Sequence, residues 1–171
     1  AALRAALDRA GVPVRTIHAS DRLGAGEECR IEVLHPPRRG VLGGDNPNSI
    51  VLAVESRGRR VLLTGDLETP GLEDLLAERP WDCDVLLAPH HGSRKSGPAG
   101  LAEWCRPEWV VFSAGRRFDS RATEAVYEAA GARVLHTGRQ GAVRIVLDDG
   151  PVRARTHWDG WIPATAESLR E

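Results

Sequence analysis

Two short apolar runs in this chain end in residues that could do chemistry. Leu62-Leu63 runs into Thr64-Gly65-Asp66, and Asp84-Val85-Leu86-Leu87-Ala88 runs into Pro89-His90-His91-Gly92-Ser93. A carboxylate just past a buried strand is placed to ligate or bridge a metal ion, and Gly65 would let backbone approach closely. Taken alone, Gly65-Asp66 is more simply a turn or a cap. Adjacent histidines at a strand end point in opposite directions, so one of His90 and His91 can face a site while the other packs. Ser93, Arg94, Lys95 and Ser96 follow with hydroxyls and cations that together could hold a phosphate. A Ser93-His90-Asp66 triad can be written down, but no nucleophile elbow surrounds the serine.

The elements that must carry these loops are legible from periodicity. Residues 2–10 read as a helix stopped by Gly11, residues 14–18 as a short strand, and 30–34 as a half-buried strand with Ile31 and Val33 inward. A loop rich in Pro and Gly runs to residue 48. Strands 49–55 and 59–63 are then joined at Ser56-Arg57-Gly58 as a hairpin. That pairing lays Asn48 and Ser49 beside Asp66. Thr69-Pro70 opens a helix through about Glu78 as N-cap and first-turn proline. Strand 84–88, helix 98–105, strand 109–113, helix 121–130 and strand 132–136 alternate. Residues 141–147 and 152–156 form a closing antiparallel pair around Asp148-Asp149-Gly150. The pattern predicts a mixed α/β (α+β) sheet with helices on a face, both loops lying at C-terminal strand ends where open sheets place ligands. Trp158 and Trp161 are expected to cover an apolar edge. His18, His35, His136 and His157 occur singly and read as packing or surface groups.

Composition narrows the class. With 23 basic against 24 acidic side chains the net charge is −1, which argues against a nucleic-acid module working by bulk charge. Lys95 is the only lysine, and the arginines are spread evenly along the chain. Cys29, Cys83 and Cys105 make no CxxC pair or zinc-ribbon spacing and read as buried free thiols. No run approaches the ~18–20 apolar residues of a membrane span. The sequence contains no methionine, so Ala1 is expected to be an internal position of a longer gene product.

In order, Asn46-x-Asn48-Ser49-Ile50-Val51-Leu52, Leu62-Leu63-Thr64-Gly65-Asp66 and Val85-Leu86-Leu87-x-Pro89-His90-His91-Gly92-Ser93-Arg94-x-Ser96 resemble one family. It is the C-terminal metallo-β-lactamase-like domain of ComEC, the DNA-uptake channel of natural competence. Ala129 to Leu135 and Gly141-Ala142-Val143 fit its end, so the resemblance covers roughly residues 30–147. It implies a four-layer αββα sandwich, present here in part: residues 1–157 as the C-terminal portion of the domain and 158–171 as a tail.

The implied chemistry is metal-activated water attacking a phosphodiester, with one or two zinc or manganese ions. By resemblance Asp66 is the bridging carboxylate, and His90 or His91 contacts a metal or the scissile phosphate. Asn48 and Ser49 stand where many relatives have a metal-binding histidine. The family's principal ligand cluster, His-x-His-x-Asp-His or His-x-Asp-x-Asp-His, is absent and is expected before Ala1. A late histidine is also missing after strand 109–113, where Asp119 could substitute. The metal candidates are therefore Asp66, His90, His91 and Asp119; the catalytic candidates are His90, His91 and Ser93. Asn48, Ser49, Arg94, Lys95 and Ser96 are the substrate-binding candidates. The implied partners are DNA, the membrane channel of the same parent chain and other competence proteins. The implied location is a soluble domain on the extracytoplasmic side of an inner-membrane protein. The alternatives are a degenerate, non-catalytic module that guides DNA, and a stand-alone hydrolase of a small phosphodiester or lactone.

Overall fold

A computed structural model describes residues 2–24, 26 and 28–162. Its centre is a row of side chains crossing four parallel strands: β4 (Arg59–Leu63), β5 (Val85–Leu87), β6 (Trp109–Phe112) and β7 (Arg133–His136). Leu62, Leu86, Val110 and Val134 stand in register across these strands. Their side chains meet the helices α2 (Gly71–Ala77), α3 (Pro98–Cys105) and α4 (Arg121–Ala129) through Leu72, Leu75, Leu101 and Tyr127. Alternation sends the neighbouring residues to the opposite face. There Val85, Trp109, Val111 and Leu135 form a second apolar cluster with Val143, Ile145, Val152 and Ala154. Burial on both faces explains why Val85-Leu86-Leu87 is continuously apolar rather than alternating.

Three more strands extend the sheet through antiparallel pairs: β1 (Arg22–Gly24), β2 (Cys29–His35) and β3 (Val51–Ser56). The order is β1-β2-β3-β4-β5-β6-β7. The β3–β4 turn is Arg57-Gly58 with φ of 50° and 71°, the doubly left-handed turn that suits a tight hairpin. A second sheet, β8 (Val143–Val146), β9 (Arg153–Thr156) and β10 (Gly160–Ile162), is antiparallel and covers the far face. The molecule is thus helices, a seven-stranded sheet and a three-stranded sheet in layers. Helix α1 (Ala2–Arg9) buries none of its residues.

The structure corrects several expectations. Residues 14–18 form no strand; Val14 is exposed and nothing pairs with that segment in a ladder. The strand there is β1, whose Arg-Leu-Gly has no alternation of its own and is held by pairing with β2. Helix α2 begins at Gly71 with Pro70 at its N-cap and no side-chain cap, so Thr69 does not cap it. Trp158 and Trp161 cover no apolar edge, being 56% and 51% exposed. Strand β10 pairs with β9 inside the span expected to be a tail, and residues 163–171 lie outside the described residues. All three cysteines are free, Cys83 and Cys105 buried and Cys29 partly exposed.

If the row across the parallel strands holds the layers together, Leu86→Ala costs about 2–5 kcal/mol. The same truncation at Leu42, which is 88% exposed, stays within about 0.5 kcal/mol. Urea midpoints of the two variants check this.

Candidate functional site

The register that aligns Leu62 with Leu86 also ends β4 and β5 side by side, with Leu63 opposite Leu87. Two contacts then staple the following loops together. The buried Thr64 hydroxyl donates to the Leu87 carbonyl at 2.7 Å, and the His90 N–H donates to the Gly65 carbonyl at 3.0 Å. The Leu67 N–H closes a four-residue turn onto the Thr64 carbonyl. Gly65 sits in that turn at φ 54°, with Asp66 beside it and the fully buried Leu67 as anchor.

The histidine loop is not the strand end that alternation predicts. His90 and His91 adopt φ of 47° and 58°, and Gly92 follows at 90°. Consecutive non-glycine residues in the left-handed region are uncommon and need a surrounding structure that holds them. Here Gly92 lies on Phe112: a Cβ at that position would be 2.3 Å from the phenyl ring. Phe112 in turn stacks on His136, with centroids 6.3 Å apart and planes 7° apart, and meets Tyr127 edge-on.

The rings of His90 and His91 do diverge, as expected, but through this turn. His91 Nδ1 is 2.7 Å from the Ser113 carbonyl, which can only accept, so Nδ1 carries the proton. In the neutral ring Nε2 then carries the lone pair, and it lies 3.7 Å from Asp66 Oδ1. A backbone carbonyl on one imidazole nitrogen and a free second nitrogen is the arrangement of a metal-ligating histidine. Two donors each about 2.0–2.2 Å from one tetrahedral zinc ion lie about 3.4 Å apart, so this spacing fits. Both side chains are about half exposed, and His91 borders an open 380 Å³ cleft with Ser113, Gly115, Phe118 and Thr137. His90 instead turns its Nδ1 to Glu68, 3.1 Å away.

The other expected residues divide. Ser49 lies beside Gly65 as the hairpin requires, and its carbonyl takes a hydrogen bond from the buried His35 ring at 3.0 Å. Asn48 uses its amide on the loop itself, accepting from Val41 N–H and donating to the Val41 and Gly44 carbonyls. Ser96 is buried and donates to the Ser93 carbonyl, while Ser93 Oγ accepts from Lys95 N–H; both hydroxyls shape the turn. Arg94 and Lys95 are exposed beside it. Asp119 does not join Asp66: its carboxylate pairs with Arg121 at 2.9 Å, and that guanidinium holds it below the usual carboxylate range. Among the described residues no group of three or more His, Cys, Asp or Glu is arranged to hold a metal ion. Glu68 and the Ser113 carbonyl were not legible. Glu68 becomes relevant only through the left-handed turn that swings His90 toward it, and a backbone carbonyl leaves no mark in sequence.

Behind the loop, Glu124 is 6% exposed and is bound by Ser120 Oγ and by both terminal nitrogens of Arg139. Burial alone would raise its pKa, but these donors outweigh it and the carboxyl lies below its ordinary value. Burial, helped by Arg139, lowers His136, with Glu124 opposing.

No family model matches the sequence. The competence protein ComA of Neisseria gonorrhoeae is 33% identical over 144 residues, covering 81% of this chain and 21% of the relative. Recombination protein 2 of Haemophilus influenzae is 35% identical over 96 residues, 54% of this chain and 12% of the relative. ComE operon protein 3 of Bacillus subtilis is 28% identical over 139 residues, 78% and 18%. The chain thus spans about a fifth or less of the length of these relatives. A metal-dependent hydrolase from Parabacteroides distasonis superposes with a TM-score of 0.52 at 16% identity, over 78% of this chain and 61% of that one. That likeness shows a shared α+β fold. Among the described residues no helix is long and apolar enough to cross a membrane.

Two outcomes test the support of the loop. Gly92→Ala, which must place a methyl into Phe112 at a left-handed φ, destabilises by about 2–4 kcal/mol in urea unfolding. Acidification acts in two stages because both buried groups bind protons more weakly when folded. The contribution of His136 is present above about pH 6.5 and lost as pH falls through its lower folded value; that of Glu124 is lost below about pH 4.3. Urea midpoints measured from pH 8 downward check this, with His136→Phe removing the first stage.

Proposed function

We propose that the chain, which is similar to the competence protein ComA and to ComE operon protein 3 and shares the α+β fold of a metal-dependent hydrolase, is part of a ComEC-type metallo-β-lactamase-like domain with a metal-dependent nuclease role in DNA uptake. The observation that carries this is the His91–Asp66 pair. One imidazole nitrogen is fixed by the Ser113 carbonyl, and the other faces a carboxylate at 3.7 Å. A bound zinc or manganese ion would supply a water activated for attack on a phosphodiester. In this reading His91 and Asp66 hold the metal. Arg94 and Lys95 lie on the same loop and meet the phosphate charge, and the cleft beside His91 receives the strand. His90 is held by Glu68 and positions the loop.

The residues described here supply two donors, whereas even the sparser catalytic zinc sites use three protein ligands. No hydrolytic step is therefore assigned to this chain by itself. The remaining ligands would come from other parts of the parent protein, together with the membrane channel and the other competence proteins that take up DNA. An extracytoplasmic position belongs to the same proposal.

The missing histidine after β6, where Asp119 is paired with Arg121, motivates a second reading, in which the domain has lost its metal and serves as a structural or DNA-guiding module. One experiment separates the two. In the complete parent protein, Asp66→Ala and His91→Ala each lower metal content and metal-dependent DNA cleavage by more than about 100-fold. His90→Ala lowers cleavage by only about 10-fold, the lower end for a group that orients a ligand. A parent with no bound metal and no cleavage would establish the second reading. The 171-residue chain alone is expected to show no metal-dependent cleavage, and robust cleavage by it would contradict the shortage of ligands.

A further inference from the structure

The outer face of the three-stranded sheet carries a row of side chains that nothing in the site described above uses. Arg144 on β8 is the register partner of Arg155 on β9, and Arg155 is the register partner of Trp161 on β10. All three are exposed, while Ala154 and Thr156 of β9 alternate into the interior. Arg153 lies on the same face with its guanidinium 5.2 Å from the Trp161 ring centroid, and that of Arg155 is 5.9 Å away. Trp158, in the adjoining turn, is also exposed and meets His157 edge-on.

The charges of this row are not balanced from within. Arg153 is paired with Asp148 at 2.5 Å, and Asp159 is engaged by Thr156 and Gln140. Among the described residues Arg144 and Arg155 have no carboxylate within ion-pair distance. Like charges directly opposite on neighbouring strands destabilise a sheet, and an exposed tryptophan beside them gains nothing from water. Both features are stabilised by a partner that brings negative charge and flat unpaired rings together.

We propose that the Arg144–Arg155–Trp161 row binds single-stranded nucleic acid, with a base stacking on Trp161 and phosphates on the two arginines. Sheet faces of this kind bind unpaired strands through aromatic stacking and arginine charge with little sequence preference. With strands about 4.8 Å apart the row spans about 10 Å. A duplex, whose bases are already stacked on one another, offers Trp161 no free ring. The proposal does not rest on Asp66 and His91 being catalytic.

The test is fluorescence anisotropy of the 171-residue chain with a labelled oligothymidylate of about 20 nucleotides, in EDTA so that no metal chemistry contributes. The expected result is salt-sensitive binding that quenches tryptophan fluorescence. Trp161→Ala weakens it by about 5- to 150-fold, and Arg144→Gln with Arg155→Gln lowers the salt slope by about 0.7 per arginine. Arg144→Glu raises the thermal midpoint, because it now faces Arg155 with opposite charge, yet weakens binding; a purely structural row would not separate the two. Leu42→Ala, exposed and outside both sites, leaves binding unchanged; because the measurement is made without metal and reads binding rather than cleavage, failure of the nuclease proposal would not mimic failure of this one. Equal binding by wild type and row variants, or none by wild type, overturns the proposal. So does binding to phosphatidylserine vesicles without binding to the oligonucleotide, which would assign the face to a membrane.

Discussion

Leu63 and Leu87 end two parallel strands at the same level, and the site depends on that register. A slip of one residue would turn Leu62 and Leu86 out of the helix-facing core and would also separate Asp66 from His91. The rows of apolar side chains on both faces make such a slip expensive: each leucine moved from core to solvent forfeits about 1.5–3 kcal/mol. Packing energy is thereby converted into positional precision for two polar groups that are themselves half exposed. The Thr64 hydroxyl and the His90 N–H complete the transfer from sheet to loops.

The histidine loop shows how local strain is carried. Two histidines at positive φ lead into Gly92, which lies on Phe112, and Phe112 stacks against His136 and abuts Tyr127. A cost of order 1–3 kcal/mol per strained histidine is met by this buried aromatic column together with the hydrogen bonds of the turn. What the strain achieves is orientation. His91 reaches the Ser113 carbonyl with Nδ1 and so turns Nε2 toward Asp66, while His90 turns to Glu68.

Much of the fold was legible because it rests on local rules. The hairpin at Arg57-Gly58, the continuous apolar β5 and the β-α-β alternation after it all follow from period and turn chemistry. Strands β1 and β10 were not legible, since Arg22-Leu23-Gly24 and Gly160-Trp161-Ile162 are strands only by pairing with β2 and β9. In the candidate site, the adjacency of Asp66 with the histidine pair and of Ser49 with Gly65 was legible from strand ends and the hairpin, whereas the choice of His91 over His90 was not. The structural duties of Asn48 and Ser96 depend on which backbone groups a loop leaves unpaired, and sequence does not show that. Asp119 was assigned by analogy of position, and Arg121 two residues later takes its charge.

The α+β scaffold thus brings His91 and Asp66 together from two adjacent strand ends, and the tautomer of His91 is the signature of that arrangement. Long-range 15N–1H correlation spectra of the imidazole groups in the 171-residue chain read that tautomer directly, without any metal. The expected result, at a pH high enough for the ring to be neutral, is a His91 protonated at Nδ1 whose Nε2 shifts when Asp66 is replaced by asparagine. A His91 protonated at Nε2, or one whose shifts ignore Asp66, would contradict the account.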